Sequence, residues 1–397
     1  MVLTDRHLFP ELARDNPAVE GHTTGILPSQ RIRQLIDAEY LIATPPITDD
    51  QIQPASVDLR LGQVAYRVRA SFLPARTSVR KRLEQLCLHE IDLRAPTILE
   101  RGCVYLVPVI EELDLPNDLW AEANPKSTTG RLDVFTRLIT DFGVRFDNVP
   151  AGYRGKLYLE IVPQTFSIIV SAGARLSQLR FSRGTPVPSD AKLVELHENE
   201  VVVYDDDGPS TADISKGGIW LSVDLAGANT SGLVGYRAKQ HAPAVDLSRV
   251  DYYDPTEFWE PLHAGSRGYV ILEPDEFYIL ASRQRISVPP AFAATMSGYE
   301  PALGEFRVHY AGFFDPGFGY GLQELQGACA VLEVRSHLIP YVLEDGQRVA
   351  HLIFERLQCR PDRIYGPSIG SSYQAQGLAL SKQFRRPSNN CPGPSRE

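Results

Sequence analysis

The chain has 397 residues, enough for two or three ordinary domains, and is 43% hydrophobic and 22% charged, so it can bury a sizeable core. A net charge of −9, from 40 basic and 49 acidic side chains, argues against a protein that coats nucleic acid, but leaves room for a small anionic substrate held by a few converging basic groups. No apolar run reaches the roughly 18 residues of a membrane span, so no membrane partner is expected.

Residues 1–22 carry Asp5, Glu11, Asp15 and Glu20 and no apolar run, unlike a signal peptide, and read as an N-terminal extension. Residues 29–39 read as a helix, with Ser29 as its N-cap and Ile32, Leu35 and Ile36 on one apolar face. Residues 52–62 alternate as a strand, with Val57, Leu59 and Leu61 on one face and Ser56, Asp58 and Arg60 on the other, the pattern of a half-buried edge strand. A second helix is expected over 79–88. Strands are expected over 104–110, 156–162, 166–170, 269–272, 277–281 and 328–334. Thirty Pro and thirty Gly punctuate the rest into short strands, so the fold class is mainly β, a barrel or sandwich with a few short helices. Five dispersed cysteines without a C-x-x-C pair provide neither a disulfide framework nor a structural zinc site, and point to a reducing, cytoplasmic setting.

The chain also repeats itself. Shifted by 173 residues, Ile98-Leu99-Glu100 falls on Ile271-Leu272-Glu273, Leu159-Glu160 on Leu332-Glu333, Gly173-x-Arg175 on Gly346-x-Arg348, and Leu179-x-Phe181 on Leu352-x-Phe354. A shorter echo links Pro54-Ala55-Ser56-Val57-Asp58-Leu59 with Pro243-Ala244-Val245-Asp246-Leu247. Residues 23–204 are therefore read as a first repeat and 223–384 as a second. The acidic turn cluster near Asp205-Asp206-Asp207 opens a linker over 205–222, and 385–397 form a disordered tail.

Two further segments can carry chemistry. Asn124-Pro125-Lys126-Ser127-Thr128-Thr129-Gly130-Arg131 concentrates hydroxyls and two cations, a set able to hold phosphate oxygens, although a polar surface turn reads the same way. It lacks the Walker A spacing. In Gly155-Lys156-Leu157-Tyr158-Leu159-Glu160-Ile161-Val162 one carboxylate interrupts an apolar strand. If desolvated, its pKa rises and suits a general base; if outward-facing, it is an ordinary strand residue.

Together with strand 52–62, these segments resemble the dCTP deaminase family of the dUTPase-like superfamily, in its long, tandem form. Ser127-x-x-x-Arg131 is similar to that family's serine and arginine pair, Tyr158-Leu159-Glu160 to the strand bearing its glutamate, and Ser372-Tyr373-Gln374-Ala375-Gln376-Gly377 to the segment that folds over the triphosphate. The resemblance implies two tandem dUTPase-like (β-clip) barrels and hydrolysis of dCTP to dUTP and ammonia, with dCTP as the small-molecule partner and a homo-oligomer, trimeric or hexamer-like. It implies Glu160 as the proton shuttle, Ser127 positioning the water, and Arg131 holding Glu160 and the base in register. Lys126, Thr128, Thr129, Gly130, Tyr158, Leu159, Gln178, Tyr373 and Gln376 are the implied substrate contacts. Mg²⁺ would ride on the triphosphate, and no zinc is expected, since the H-x-E…P-C-x-x-C pattern is absent.

Neither repeat carries the whole pattern. The family's Asp-Pro-Gly turn, beneath the deoxyribose, reads Pro150-Ala151-Gly152 in the first repeat but Asp315-Pro316-Gly317 in the second. The second repeat has Gly298 to Glu305 where a Ser-x-x-x-Arg would stand. The expectation is thus a working site in the first repeat, with Glu333 a structural strand residue. The alternatives are dUTP diphosphatase or a bifunctional deaminase-diphosphatase, and a non-catalytic nucleotide-binding protein.

Overall fold

The computed structural model describes residues 22–185, 189–227, 230, 232–265, 268–297, 306–309, 312–322, 326–336, 338–366 and 377–386. Strands dominate, and the duplication is visible in how they pair. In the first repeat, Val104–Asp114 lies between Val64–Val68 and Arg154–Pro163, and Arg154–Pro163 also pairs with Val134–Thr140. In the second, Phe277–Ile286 lies between Leu233–Ala238 and Ala328–Ser336, and Ala328–Ser336 also pairs with Phe306–His309. A second sheet repeats as well: Leu119–Pro125 pairs with Arg175–Arg183, and Phe292–Ser297 with Arg348–Arg356.

The alternating apolar residues of these strands bury two cores. The first includes Leu59, Val107, Leu138, Leu159 and Phe181, the second Leu221, Leu280, Leu332 and Leu352. Each fully buried side chain of this size contributes about 1.5–3 kcal/mol. The cores meet at an aromatic junction. Phe166 of the first repeat stands edge-on to Phe258 and Trp259 of the second, with centroids 5.6 and 5.4 Å apart. Phe384 joins them from the C-terminal segment, 5.2 Å from Phe258. The connection between Leu233–Ala238 and Trp259–His263 also crosses over, and its Val245–Asp246 adds a parallel strand to Ile168–Val170 of the first repeat.

Several sequence expectations change here. The helix Ser29–Asp37 begins after an extended Pro28, so Ser29 is not its cap; the Ser29 hydroxyl instead bonds Asp362 of the second repeat. Val57–Arg60 is buried on both faces, not half-exposed, because its outward charges are neutralised: Arg60 pairs with Glu111 at 2.7 Å and Asp58 with Lys126. The echo at 243–247 is not a structural equivalent of 54–59, since Val57–Arg60 pairs antiparallel with Arg175–Arg183 and the second repeat uses Gly218–Ser222 for that place. Residues 205–222 are therefore no linker. Val203–Asp205 and Gly218–Ser222 are strands in the sheets of the second repeat, and Asp206 pairs with Arg285 at 3.2 Å. The helix Asp190–Asn199 precedes them; its amphipathic pattern is weak, with Leu193 its buried anchor.

Candidate active site between the repeats

The hydroxyl-rich segment forms a single helical turn, Ser127–Gly130, at the end of Leu119–Pro125. Pro125 ends the strand. The Lys126 amide and the Thr129 hydroxyl then both donate to the Leu176 carbonyl, each at 2.9 Å, which pins the turn to Arg175–Arg183. The Arg131 amide donates to the Ser127 carbonyl at 3.0 Å, fixing the spacing of the pair. Arg131 is buried, and its Nη1 donates to the Ala379 carbonyl at 3.0 Å. The Ser381 hydroxyl donates to the Thr128 carbonyl at 2.9 Å. The C-terminal segment thus packs on a turn of the first repeat. Tyr373 and Gln376 lie outside the described residues.

A buried carboxyl of the second repeat, Glu333, lies within electrostatic reach of Arg131. Glu333 sits mid-strand in Ala328–Ser336, between Ile279 and the backbone of His309. Burial drives its pKa up to about 8, the Arg131 guanidinium pulling it down and the Asp133 carboxylate pushing it up. Two residues beyond in each repeat, Asp133 pairs with Arg335, and Thr165 donates to the same Asp133 oxygen at 2.6 Å.

The turn that differs between the repeats meets Arg180 and Lys126 of the first repeat from the second one. Asp315 follows Phe313–Phe314, and Gly317 at φ +96° closes the turn; a Cβ there would stand 2.8 Å from that of Ile364. The Asp315 carboxyl is driven by burial up to about 6, with Arg180 opposing the rise, Asp58 adding to it and Lys126 opposing it. Arg180, on the first repeat's Arg175–Arg183, stands 3.7 Å from Asp315, donates to Thr295 at 3.1 Å and covers the Phe313 ring at 3.8 Å. Among the described residues, Asp315 Oδ1 and Arg180 Nε and Nη2 are buried without a hydrogen-bond partner. Such atoms mark a place where a polar ligand or water completes the set. Gln178, one residue pair away on the same strand, accepts from the Ser56 hydroxyl at 3.1 Å and lies opposite Asn124. Beyond Lys126, Thr128 and Thr129 a cavity of about 490 Å³ opens, with Arg175, Ser248 and Lys382 across it.

Glu160 belongs to a different environment. Arg137 of its own barrel donates to it at 2.6 and 3.0 Å, and the Arg137 guanidinium lies 3.6 Å over the Phe146 ring and 4.6 Å from Phe135. Tyr158 packs beside Leu106 and Ile139, and Leu159 lies in the first core. Arg131 therefore lies within electrostatic reach of Glu333, and Lys126, next to Ser127, within reach of Asp315, while Glu160 pairs with Arg137 and Tyr158 and Leu159 pack in apolar clusters of the first repeat. Sequence reasoning passed over Arg180, Asp133, Arg335 and Arg137. The signal it held for the composite site was complementarity: the first repeat keeps Ser-x-x-x-Arg, the second keeps Asp-Pro-Gly.

Two β-rich repeats with matching strand pairing bring a buried arginine of one within electrostatic reach of a buried glutamate of the other, the arrangement of a duplicated β protein with a composite site. Residues 23–185 match the model of the 2'-deoxycytidine 5'-triphosphate deaminase N-terminal domain, and residues 189–384 that of its C-terminal domain. The chain belongs to the dCTP deaminase family. It is similar to the crystal structure of 2'-deoxycytidine 5'-triphosphate deaminase from Agrobacterium tumefaciens, with 50% identity, a TM-score of 0.81, and coverage of 85% of this chain and 100% of that one. A dCTP deaminase of Halorubrum lacusprofundi is 28% identical over 46% of this chain and 87% of its own length. A dUMP-forming dCTP deaminase of Dictyoglomus thermophilum is 30% identical over 39% of this chain and 79% of its own. Each of these two matches covers less than half of this chain.

Proposed function

We propose that this dCTP deaminase converts dCTP and water to dUTP and ammonia in the cleft between its repeats, with Glu333 as the proton-transfer group. The observation that supports this assignment is the action of Arg131 on Glu333 across the repeat boundary. A carboxyl group near pKa 8 is protonated at neutral pH and can donate to N3 of the cytosine, which makes C4 electrophilic. The carboxylate so formed, stabilised by Arg131, takes a proton from the attacking water. That proton passes to the amine, and as ammonia leaves, the proton of the C4 hydroxyl returns to Glu333, which forms the C4 carbonyl of dUTP and restores the acid. Ser127 positions the water, a role that adds orientation rather than charge. Asp315, 3.7 Å from Arg180, would face the deoxyribose, the role the resemblance gives its turn. Lys126, Thr128, Arg175 and Lys382 of the adjoining cavity would contact the triphosphate, with Lys126 and Arg175 drawn from their ion pairs with Asp58 and Asp50.

Among the described residues no three His, Cys, Asp or Glu side chains converge as metal ligands, so Mg²⁺ would be held by the phosphate oxygens and water. The elements that carry Ser127, Arg131 and Glu333 all come from one chain, so no partner subunit is needed to bring them together. Incubating the protein with dCTP and Mg²⁺ tests the reading. Ammonia and dUTP in equal amounts are expected. Pyrophosphate released with the ammonia would instead favour the bifunctional reaction, and neither product would refute both.

A further inference from the structure

We infer that Asp133 and Arg335 form a clasp that positions Arg131 against Glu333 and determines which of the two glutamate strands the catalytic turn docks on. The inference rests on the site assignment just made. Asp133 stands two residues after Arg131, and Arg335 two after Glu333. Positions two apart on a strand share a face, so Glu333 and Arg335 project together from Ala328–Ser336 toward the first repeat. Asp133 is held at φ +54°, a left-handed conformation that Asp tolerates better than most residues. There its side chain is 1% exposed and that of Arg335 15%. Arg335 Nε donates to Asp133 Oδ2 at 3.1 Å, Nη2 reaches the same oxygen and donates to Thr165 at 2.9 Å, and Nη1 donates to the Asp275 carbonyl at 2.5 Å. Both ends of the guanidinium are thus fixed, one to each repeat. A planar fork held at both ends transmits orientation more tightly than a single point charge.

The clasp also discriminates. The first repeat's own glutamate strand carries Val162 two residues after Glu160, where the second carries Arg335. Docking the turn on that strand would set the buried Asp133 carboxylate against an apolar side chain, leaving its charge uncompensated. The pair therefore favours one of the two glutamate strands over the other. Asp133 and Arg335 are positioning residues, since neither needs to touch the base.

The test compares wild type with R335K, the double variant D133L/R335M and E333Q, measuring kcat and KM for ammonia release from dCTP together with thermal unfolding. Replacing a buried ion pair by apolar side chains of similar volume is often neutral or stabilising, so the double variant separates positioning from stability. We expect kcat to fall at least tenfold in D133L/R335M and about threefold or more in R335K, with KM within threefold and unfolding temperatures near or above wild type. Wild-type kcat in either variant, or a loss confined to KM or unfolding temperature, overturns the clasp. Should D133L/R335M fail to fold, R335K, which keeps the charge and loses the fork, decides by the same criterion. E333Q reports on the underlying site. If it is inactive while the clasp variants are fully active, only the clasp fails; if it is active, the site assignment fails.

Discussion

Arg131 of the first repeat acts on Glu333 of the second, while Glu160, in the first repeat's equivalent strand, is bound by Arg137 of its own barrel. Duplication has separated two uses of one buried glutamate. One is left with a raised pKa within reach of a cation from the other repeat. The other is neutralised locally by an ion pair.

The pH dependence follows from that difference. The Glu333 carboxyl is raised from its ordinary 4.5 to about 8 in the folded chain, so the native state holds a proton that the unfolded chain releases. Its contribution to stability is complete below 4.5 and is lost as pH rises through 8, at up to about 1.4 kcal/mol per pH unit between the two values. The unfolding free energy of wild type relative to E333Q should therefore decline from pH 5 to 8 and then level off. A difference independent of pH would contradict the raised value. For activity, kcat/KM should fall with an alkaline limb near 8, since the protonated acid is the working form.

Much of the fold was legible in sequence because the duplication left its apolar alternation intact. Helix and strand expectations fell on the Ser29–Asp37, Val79–Leu86, Val104–Asp114 and Ala328–Ser336 elements. The site was legible by type but not by partnership. Ser127, Arg131, Glu160 and Glu333 all stand out as polar residues in ordered segments, yet alignment by repeats pairs each turn with its own strand. What pairs them across repeats is tertiary: an aromatic junction around Phe166, Trp259 and Phe384, and buried charges such as Asp133 and Arg180 that carry no spacing motif. The linker expectation failed for a similar reason, since an acidic Gly/Pro cluster marks a hairpin turn as readily as a boundary.

Arg180 should prove costly to remove. Arg180→Met leaves the buried Asp315 carboxyl without its neighbouring cation, a loss of about 3–5 kcal/mol by analogy with broken buried pairs. Equilibrium unfolding should show it. Arg180→Met/Asp315→Leu should recover most of that stability while KM for dCTP stays at least tenfold raised. Recovery of both would make the pair purely structural.

The C-terminal segment should divide into two functions. Residues 377–386 pack through Ala379, Ser381 and Phe384, so truncation after Pro367 should lower the unfolding temperature as well as activity. Tyr373→Phe/Gln376→Ala, which spares that packing, should raise KM for dCTP about tenfold (roughly 1.4 kcal/mol) with unfolding unchanged. An unchanged KM would remove those two side chains from the substrate contacts.

Glu160→Gln should weaken the fold rather than the reaction. It leaves the Arg137 guanidinium, 24% exposed, without its carboxylate, at a cost of about 1–3 kcal/mol. Arg137→Met, measured by the same denaturant titration, should cost more, since it strands the more deeply buried Glu160 charge. Equal stability of both variants with wild type would show that the pair contributes nothing net.

The most direct measurement is single-turnover ammonia release from saturating dCTP by Glu333→Gln and Glu160→Gln, each assayed as folded protein. The composite site predicts a loss of about 10² or more for Glu333→Gln and a rate within about threefold of wild type for Glu160→Gln. A fully active Glu333→Gln beside an inactive Glu160→Gln would place the chemistry inside the first repeat and contradict the account.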